Sequence, residues 1–209
     1  MSRLVAEGLA KRFGRRLLFR DLALAVEGGQ SLAVTGANGA GKSTLLRVLA
    51  GVLRPSAGAV RLQHDGRTVP PAERPLRSGL VAPALNVYGG FTARENLRFL
   101  ARARRLPGAG ERIEAVLRRV GLAARAGDPV RAFSSGLKQR MKYAAALLAE
   151  PPLLLLDEPA ANLDEAGLAM VEDVTGQWRA AGRLLVVATN RPETAARCDD
   201  RLCVEDFAP

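Results

Sequence analysis

Gly36-Ala37-Asn38-Gly39-Ala40-Gly41-Lys42-Ser43-Thr44 decides how the rest of the chain is read. The run fits G-x-x-x-x-G-K-[ST], and its surroundings fit as well. Ahead of it, Ser31-Leu32-Ala33-Val34-Thr35 is a short apolar run that predicts a buried strand. Behind it, Leu45, Val48 and Leu49 fall at helical spacing, and Gly51 is placed to end the helix. Glycines let successive backbone N–H groups turn inward around an anion, and the following helix aims its positive end at the same point. An ordinary glycine-rich turn does not account for strand, loop and helix together. The stretch implies a nucleoside-triphosphate site in which Lys42 reaches the β- and γ-phosphates and the Ser43 hydroxyl holds Mg²⁺.

The 209 residues, 48% of them hydrophobic, can bury one sizeable core or a core with a subdomain. No run approaches the roughly 18 apolar residues of a membrane span. The opening Met1-Ser2-Arg3-Leu4-Val5-Ala6-Glu7 lacks the apolar centre of a signal peptide. A soluble, cytoplasmic protein is expected. Cys198 and Cys203 are too few for a disulfide framework or a zinc site. The net charge of +10 is scattered rather than blocked, and only 4% of residues are aromatic, so platforms for stacking bases are scarce. Composition and proximity to a membrane explain that charge better than nucleic-acid binding.

Residues 3 to 35 read as strands: Leu4 to Ala10, then Leu22, Leu24 and Val26 in alternation, then the Gly28-Gly29 turn into Ser31. Phe13 stands on the first connection, either as an exposed ring able to stack on a base or as a partly buried turn residue. Asp65-Gly66 between two short apolar runs predicts a hairpin, with His64, the only histidine, as a solvated neighbour. Gly79 to Ala82 predicts a strand. Thr92 with Glu95 forms a capping box for a helix whose arginines, Arg94, Arg98, Arg102 and Arg105, form a solvated face. Pro107, Gly108 and Gly110 break the chain before a second helix carrying Ile113, Val116, Leu117 and Val120, closed by Gly121. This block, residues 84–135, reads as an inserted helical subdomain.

A strong helix is expected from Gly136 to Glu150, stopped by Pro151-Pro152. The apolar strand Leu153 to Leu156 then ends in Asp157-Glu158. Asp164 caps a helix with Leu168, Val171 and Trp178 on one side, and a further apolar strand, Arg183 to Thr189, precedes Asn190. A short helix through Arg197 and a strand near Leu202 to Val204 close the chain. Strands alternating with helices predict a mostly parallel sheet covered on both faces. Ligands of such sheets sit beyond the carboxyl ends of the strands, so the phosphate loop, Asp157-Glu158 and Asn190 should meet at one edge. Asp157 is then the Mg²⁺ ligand, and Glu158 orients or deprotonates the attacking water. A helix cap or salt bridge is the plainer alternative for the two carboxylates.

Phe133-Ser134-Ser135-Gly136-Leu137-Lys138-Gln139-Arg140, just ahead of Leu153 to Pro159, resembles the signature motif and Walker B strand of ABC-type ATPases. The usual L-S-G-G-Q is here Phe-Ser-Ser-Gly-Leu. Asn162-Leu163-Asp164 is similar to the family's D-loop, and Phe13 falls where the family has its adenine-stacking aromatic. The likeness covers the whole chain. It implies an α/β fold: a P-loop NTPase core with a mostly parallel sheet, an N-terminal antiparallel β subdomain and the inserted helices. One ATPase domain over 1–209 divides into a nucleotide-binding core with β subdomain, 1–83 and 136–209, and the helical insert, 84–135.

The resemblance further implies a head-to-tail dimer in which Ser134, Ser135 and Gly136 of one copy, with Asp164, close over ATP held by the other's loop. A separate integral membrane subunit is the implied partner, docking on the insert between Pro83 and Leu106 near Tyr88 and Phe91, at the inner face of the cell membrane. Two departures bear on hydrolysis and coupling rather than on binding. The family's usual glutamine ahead of the insert is missing from Val81-Ala82-Pro83-Ala84-Leu85-Asn86, and its γ-phosphate histidine is replaced by Asn190. Small size and overall pattern resemble the ATP-binding subunits of cytochrome c maturation, which export haem. A nucleotide-gated regulatory module with little turnover is the alternative raised by the departures. A soluble ABC ATPase acting on ribosomes or DNA is a further alternative, although such proteins generally carry two ATPase halves or long coiled-coil arms, and this sequence shows neither a repeat nor sustained heptads.

Overall fold

Three five-residue apolar runs build the centre: β3 (Ser31–Thr35), β7 (Leu153–Asp157) and β8 (Leu184–Ala188), every residue of each buried. The computed structural model describes residues 2–208, so the extreme ends of the expected domain, Met1 and Pro209, lie outside the described residues. With β6 (Ser78–Val81) and β9 (Asp200–Cys203), these strands form one parallel sheet in the order β6-β7-β8-β3-β9. Continuous burial follows from covering both faces of a parallel sheet. Alternation along β7 and β8 sorts their side chains: Leu154, Leu156, Leu185 and Val187 join one apolar cluster, and Leu153, Leu155, Leu184 and Val186 join the other.

The second cluster continues into α1 (Lys42–Ala50) and a smaller antiparallel sheet. That sheet runs β2-β1-β4-β5, from β1 (Arg3–Phe13), β2 (Arg16–Glu27), β4 (Ala57–His64) and β5 (Arg67–Thr68). The first strand is longer than its sequence pattern predicts, because β1 continues through Phe13 and pairs it with Arg16 across a two-residue turn. The Asp65-Gly66 hairpin forms with φ of 51° and 73°, as a primed turn requires.

The first cluster holds α2 (Ala93–Ala103), α3 (Ala109–Arg119), α4 (Ser135–Leu147) and α5 (Glu165–Ala180). The capping box forms: Thr92 Oγ1 accepts from Glu95 N at 3.1 Å, and Glu95 Oε2 accepts from Thr92 N at 2.8 Å. Buried Asn96 fixes the loop before it, accepting from Tyr88 N at 2.8 Å and donating to Tyr88 O at 2.9 Å. Arg94 is not merely solvated, since its guanidinium joins α2 to α3 through Glu114 at 2.7 Å. Arg105 lies beyond α2 with φ 51°.

Other expectations need correction. Gly110 lies inside α3, and the break is Pro107-Gly108 alone. α4 stops at Leu147 rather than Glu150, which sits at φ 47° with its N–H on Leu147 O at 2.8 Å. α5 turns Met170, Val174 and Trp178 inward, while Leu168 is 37% exposed. The last helix, α6 (Pro192–Ala195), ends short of Arg197.

Candidate nucleotide site

The phosphate loop leaves β3 at Thr35 and enters α1 at Lys42. Gly36 and Gly41 take φ of 137° and 111°, where a side chain would be strained. Gly41 caps α1 with no side chain on the orphan N–H groups, and no acidic residue lies in the first turn. Four backbone donors and the positive end of the helix dipole are thus left for an anion. Lys42 is buried, with Nζ donating to Gly36 O at 2.7 Å and Ala37 O at 3.1 Å, which leaves its third hydrogen for another acceptor.

The carboxylates arrive from the neighbouring strands. Asp157 ends β7 and is 3% exposed. Glu158 follows at φ 49°, a left-handed conformation costing about 1–3 kcal/mol in a residue with a Cβ. Its N–H donates to Ala188 O at 2.9 Å, tying it to the end of β8. Its carboxylate accepts from Asn190 N at 3.1 Å and from Thr189 Oγ1 at 3.5 Å. Backbone strain is therefore retained where a carboxylate is aimed.

A hollow of about 450 Å³ joins these groups: Phe13, Asn38, Gly39, Gly41, Lys42, Ser43, Thr44, Asp157 and Glu158 all line it. Phe13 is 51% exposed there, which excludes the buried-turn alternative. Gly36, Ala37 and Asn190 instead line an adjoining hollow of about 340 Å³, so Asn190 reaches Glu158 through its backbone. Ala40 packs against the apolar cluster of α1 and the antiparallel sheet.

The remaining predicted residues lie outside both hollows. Ser134 caps α4, its Oγ accepting from Leu137 N at 3.2 Å, and Ser135 and Gly136 open the helix behind it. Asp164 caps α5 through Gly167 N at 2.8 Å and pairs with Arg140 of α4 at 2.8 Å. The Arg140 guanidinium holds the Asp164 carboxyl below its ordinary pKa. The two loops touch closely, since a Cβ on Gly136 would stand 3.0 Å from Asn162 O. Tyr143 Oη, deep in α4, donates to Pro159 O at 3.2 Å, and its burial raises the phenol pKa. Sequence reasoning missed Arg16 and Leu18, which line the nucleotide hollow. The signal for Arg16 was its distance from Phe13 across Gly14-Arg15, which makes the two a cross-strand pair.

A family model described as ABC transporter matches residues 19–161. The chain is 37% identical to the Nod factor export ATP-binding protein I of Ralstonia nicotianae, covering 97% of this chain and 64% of that protein, so it spans under two thirds of that relative's length. It is 37% identical to the cytochrome c biogenesis ATP-binding export protein CcmA of Paramagnetospirillum magneticum, over 88% of this chain and 86% of that one. It is also 37% identical to the taurine import ATP-binding protein TauB of Pseudomonas aeruginosa, over 100% and 81%. Among solved structures, one titled as the ATP binding subunit of an ABC transporter superposes with a TM-score of 0.83 at 29% identity, covering 96% of this chain and 85% of that one.

Proposed function

This chain belongs to the ABC transporter family, and we propose that it is the ATP-hydrolysing subunit that powers a separate membrane-spanning subunit. The hollow shared by Phe13, the phosphate loop and Asp157-Glu158 carries this reading. Lys11 Nζ covers one face of the Phe13 ring, 4.8 Å from its centroid, and the other face takes adenine. The loop N–H groups and the start of α1 hold the phosphates, with Lys42 supplying its free hydrogen. Ser43 and Asp157 are a suitable pair for Mg²⁺, which keeps several waters and uses one or two carboxylates beside substrate phosphates. Among the described residues no cluster of three or more acidic, His or Cys side chains offers a fuller cage. Magnesium there would supply charge neutralisation on the phosphates. Glu158, fixed by Asn190 N, orients the water and accepts its proton as the new P–O bond forms and the β–γ bridge breaks.

Ser134, Ser135, Gly136 and Asp164 lie away from their own phosphate loop, which supports a head-to-tail pair in which each copy completes the other's site. Residues 1–83 and 136–209 are then the nucleotide-binding core with its β subdomain, and 84–135 the docking insert. An exposed aromatic cluster supports that docking: Tyr88 lies 5.5 Å from Phe91 and 5.3 Å from Phe99 between ring centroids. It borders an apolar groove of about 570 Å³ lined by Val52, Pro75, Leu85 and Tyr88. No helix among the described residues is long and apolar enough to cross a membrane; a separate membrane-spanning partner, with this chain at the inner face, is the reading that the ATP-binding export and import relatives support. Export, with haem for cytochrome c maturation as cargo, is the finer reading, supported by the CcmA likeness. The equally identical taurine import relative marks import as the competing direction.

Asn190 and the glutamine-free stretch 81–86 favour one second reading, a nucleotide-gated regulator with little turnover. Phosphate release by the chain purified with its membrane partner tests both. Release well above that of Glu158→Gln supports the ATPase, ATP binding without such release selects the regulator, and no ATP binding removes both.

A further inference from the structure

One charge on the rim of the nucleotide hollow is not explained by the phosphate loop. Arg16 opens β2 directly opposite Phe13 in the β1–β2 register, so the hairpin tip presents a ring and a guanidinium side by side. The guanidinium does not simply project into water. Its Nη2 donates to Gly39 O at 3.2 Å, and the residue lines the same hollow as Lys42 and Ser43. None of the ion pairs among the described residues uses it. Arginine carries five donors in a planar fork, and Gly39 takes one of them.

The hollow has a direction, which fixes what Arg16 can reach. Lys42 Nζ rests on Gly36 O and Ala37 O, and Glu158 is held by Asn190, which lines the adjoining hollow with those same two residues. That is the end where the terminal phosphate reacts. Phe13, Arg16 and Gly39 mark the opposite end, where the base enters. We propose that Arg16 is a nucleotide-binding residue that clamps the phosphate nearest the ribose, between the base on Phe13 and the phosphate loop. This rests on the nucleotide reading above and adds a residue to it. The clamp acts on a group common to ATP and ADP, so it sets affinity for nucleoside phosphates without discriminating between them.

The test is calorimetric titration of ATP and ADP, with Mg²⁺, into the wild type, Arg16→Ala and Arg16→Lys at low and high salt. A charge-assisted hydrogen bond at this exposed position predicts that Arg16→Ala weakens both nucleotides by about tenfold. Arg16→Lys recovers part of the loss, and the gap narrows in high salt because the charge is screened. Steady-state hydrolysis should show the loss in KM rather than kcat. Equal affinities in wild type and Arg16→Ala would overturn the clamp, and so would a loss confined to ATP, which would move Arg16 to the reacting end. A salt-independent loss with a lower melting temperature in the absence of nucleotide would make Arg16 only a tie between hairpin and loop. A wild type that binds neither nucleotide removes the nucleotide reading itself.

Discussion

Two helices of this chain begin in ways that suit an anion, and they begin differently. α1 starts on left-handed Gly41, with no side chain on its first N–H groups, inside a hollow that also holds an aromatic ring, a lysine and two carboxylates. α4 starts on Ser134, whose own hydroxyl satisfies Leu137 N, and it lines neither that hollow nor its neighbour. Neither helix has an acidic residue in its first turn, so both keep an uncompensated positive end. On the proposed reading the first terminus binds nucleotide within one copy. The second, proposed as half of a site shared between copies, is tied through Arg140–Asp164 and Tyr143–Pro159 to the loop that leads away from Glu158.

The largest effect should come from removing the charge of the first terminus. On the proposed reading Lys42→Ala deletes the ammonium that holds phosphate, together with its bonds to Gly36 O and Ala37 O, so ATP binding and hydrolysis should fall to background while the fold survives. Unchanged turnover in a folded Lys42→Ala protein would end the distinction between the two helix starts. Next in size is Glu158→Gln, which keeps the shape of the side chain and removes a base. Hydrolysis should drop by roughly 10²–10⁴. With ATP and Mg²⁺ the variant should run as a dimer in light scattering, whereas the nucleotide-free protein stays monomeric. Only monomer under those conditions would leave the start of α4 without a role in binding.

The two regions also differ in how far the sequence reveals them. The first is read almost entirely from local pattern: an apolar run, a glycine loop and helical spacing follow one another directly, and the strand ending in acids is itself one short run. Its two omissions, Arg16 and Leu18, became visible only once β1 was seen to continue to Phe13 and pair with β2, because Arg12, Arg15 and Arg16 mask the strand pattern at the hairpin tip. Around the second, packing decides more than pattern. α4 ends early because Glu150 takes a left-handed conformation before the proline pair, and α5 is rotated so that Met170 rather than Leu168 meets the sheet. The rotation of α5 depends on partners distant in sequence, which spacing alone does not supply.

A smaller change should separate capping from phosphate binding at α4. Ser134→Ala loses the bond to Leu137 N, costing about 1 kcal/mol of stability, measurable as a lower melting temperature. Affinity of the monomer for ATP should not change, because Ser134 lies outside the hollow. ATP-driven association should weaken. A loss of monomer affinity instead would mean that α4 reaches its own phosphate loop. Docking supplies a comparison away from both termini: Phe91→Glu should lose the membrane partner in co-purification yet keep basal hydrolysis. Retained co-purification of Phe91→Glu and Tyr88→Glu would move the interface off the aromatic cluster.

The smallest effect concerns pH at the reacting end. Asn190 touches Glu158 only through its backbone, and its amide has no proton to gain near neutrality. His64, the only histidine, sits at the end of β4 with Nδ1 2.9 Å from Ser2 Oγ, and it lines neither hollow. The profile of kcat against pH at saturating Mg·ATP should therefore carry no histidine limb, and His64→Ala should superpose on the wild type. Asn190→His places an imidazole beside the glutamate, where an unperturbed group titrates near about 6.5. Its cationic form donates from both nitrogens and carries a charge that the terminal phosphate attracts, so the variant should gain activity as pH falls through that range. A wild-type limb near neutrality that disappears in His64→Ala would place the β4–β5 hairpin at the reacting end. A flat profile in a folded, active Asn190→His protein would show that position 190 serves the site through its backbone alone.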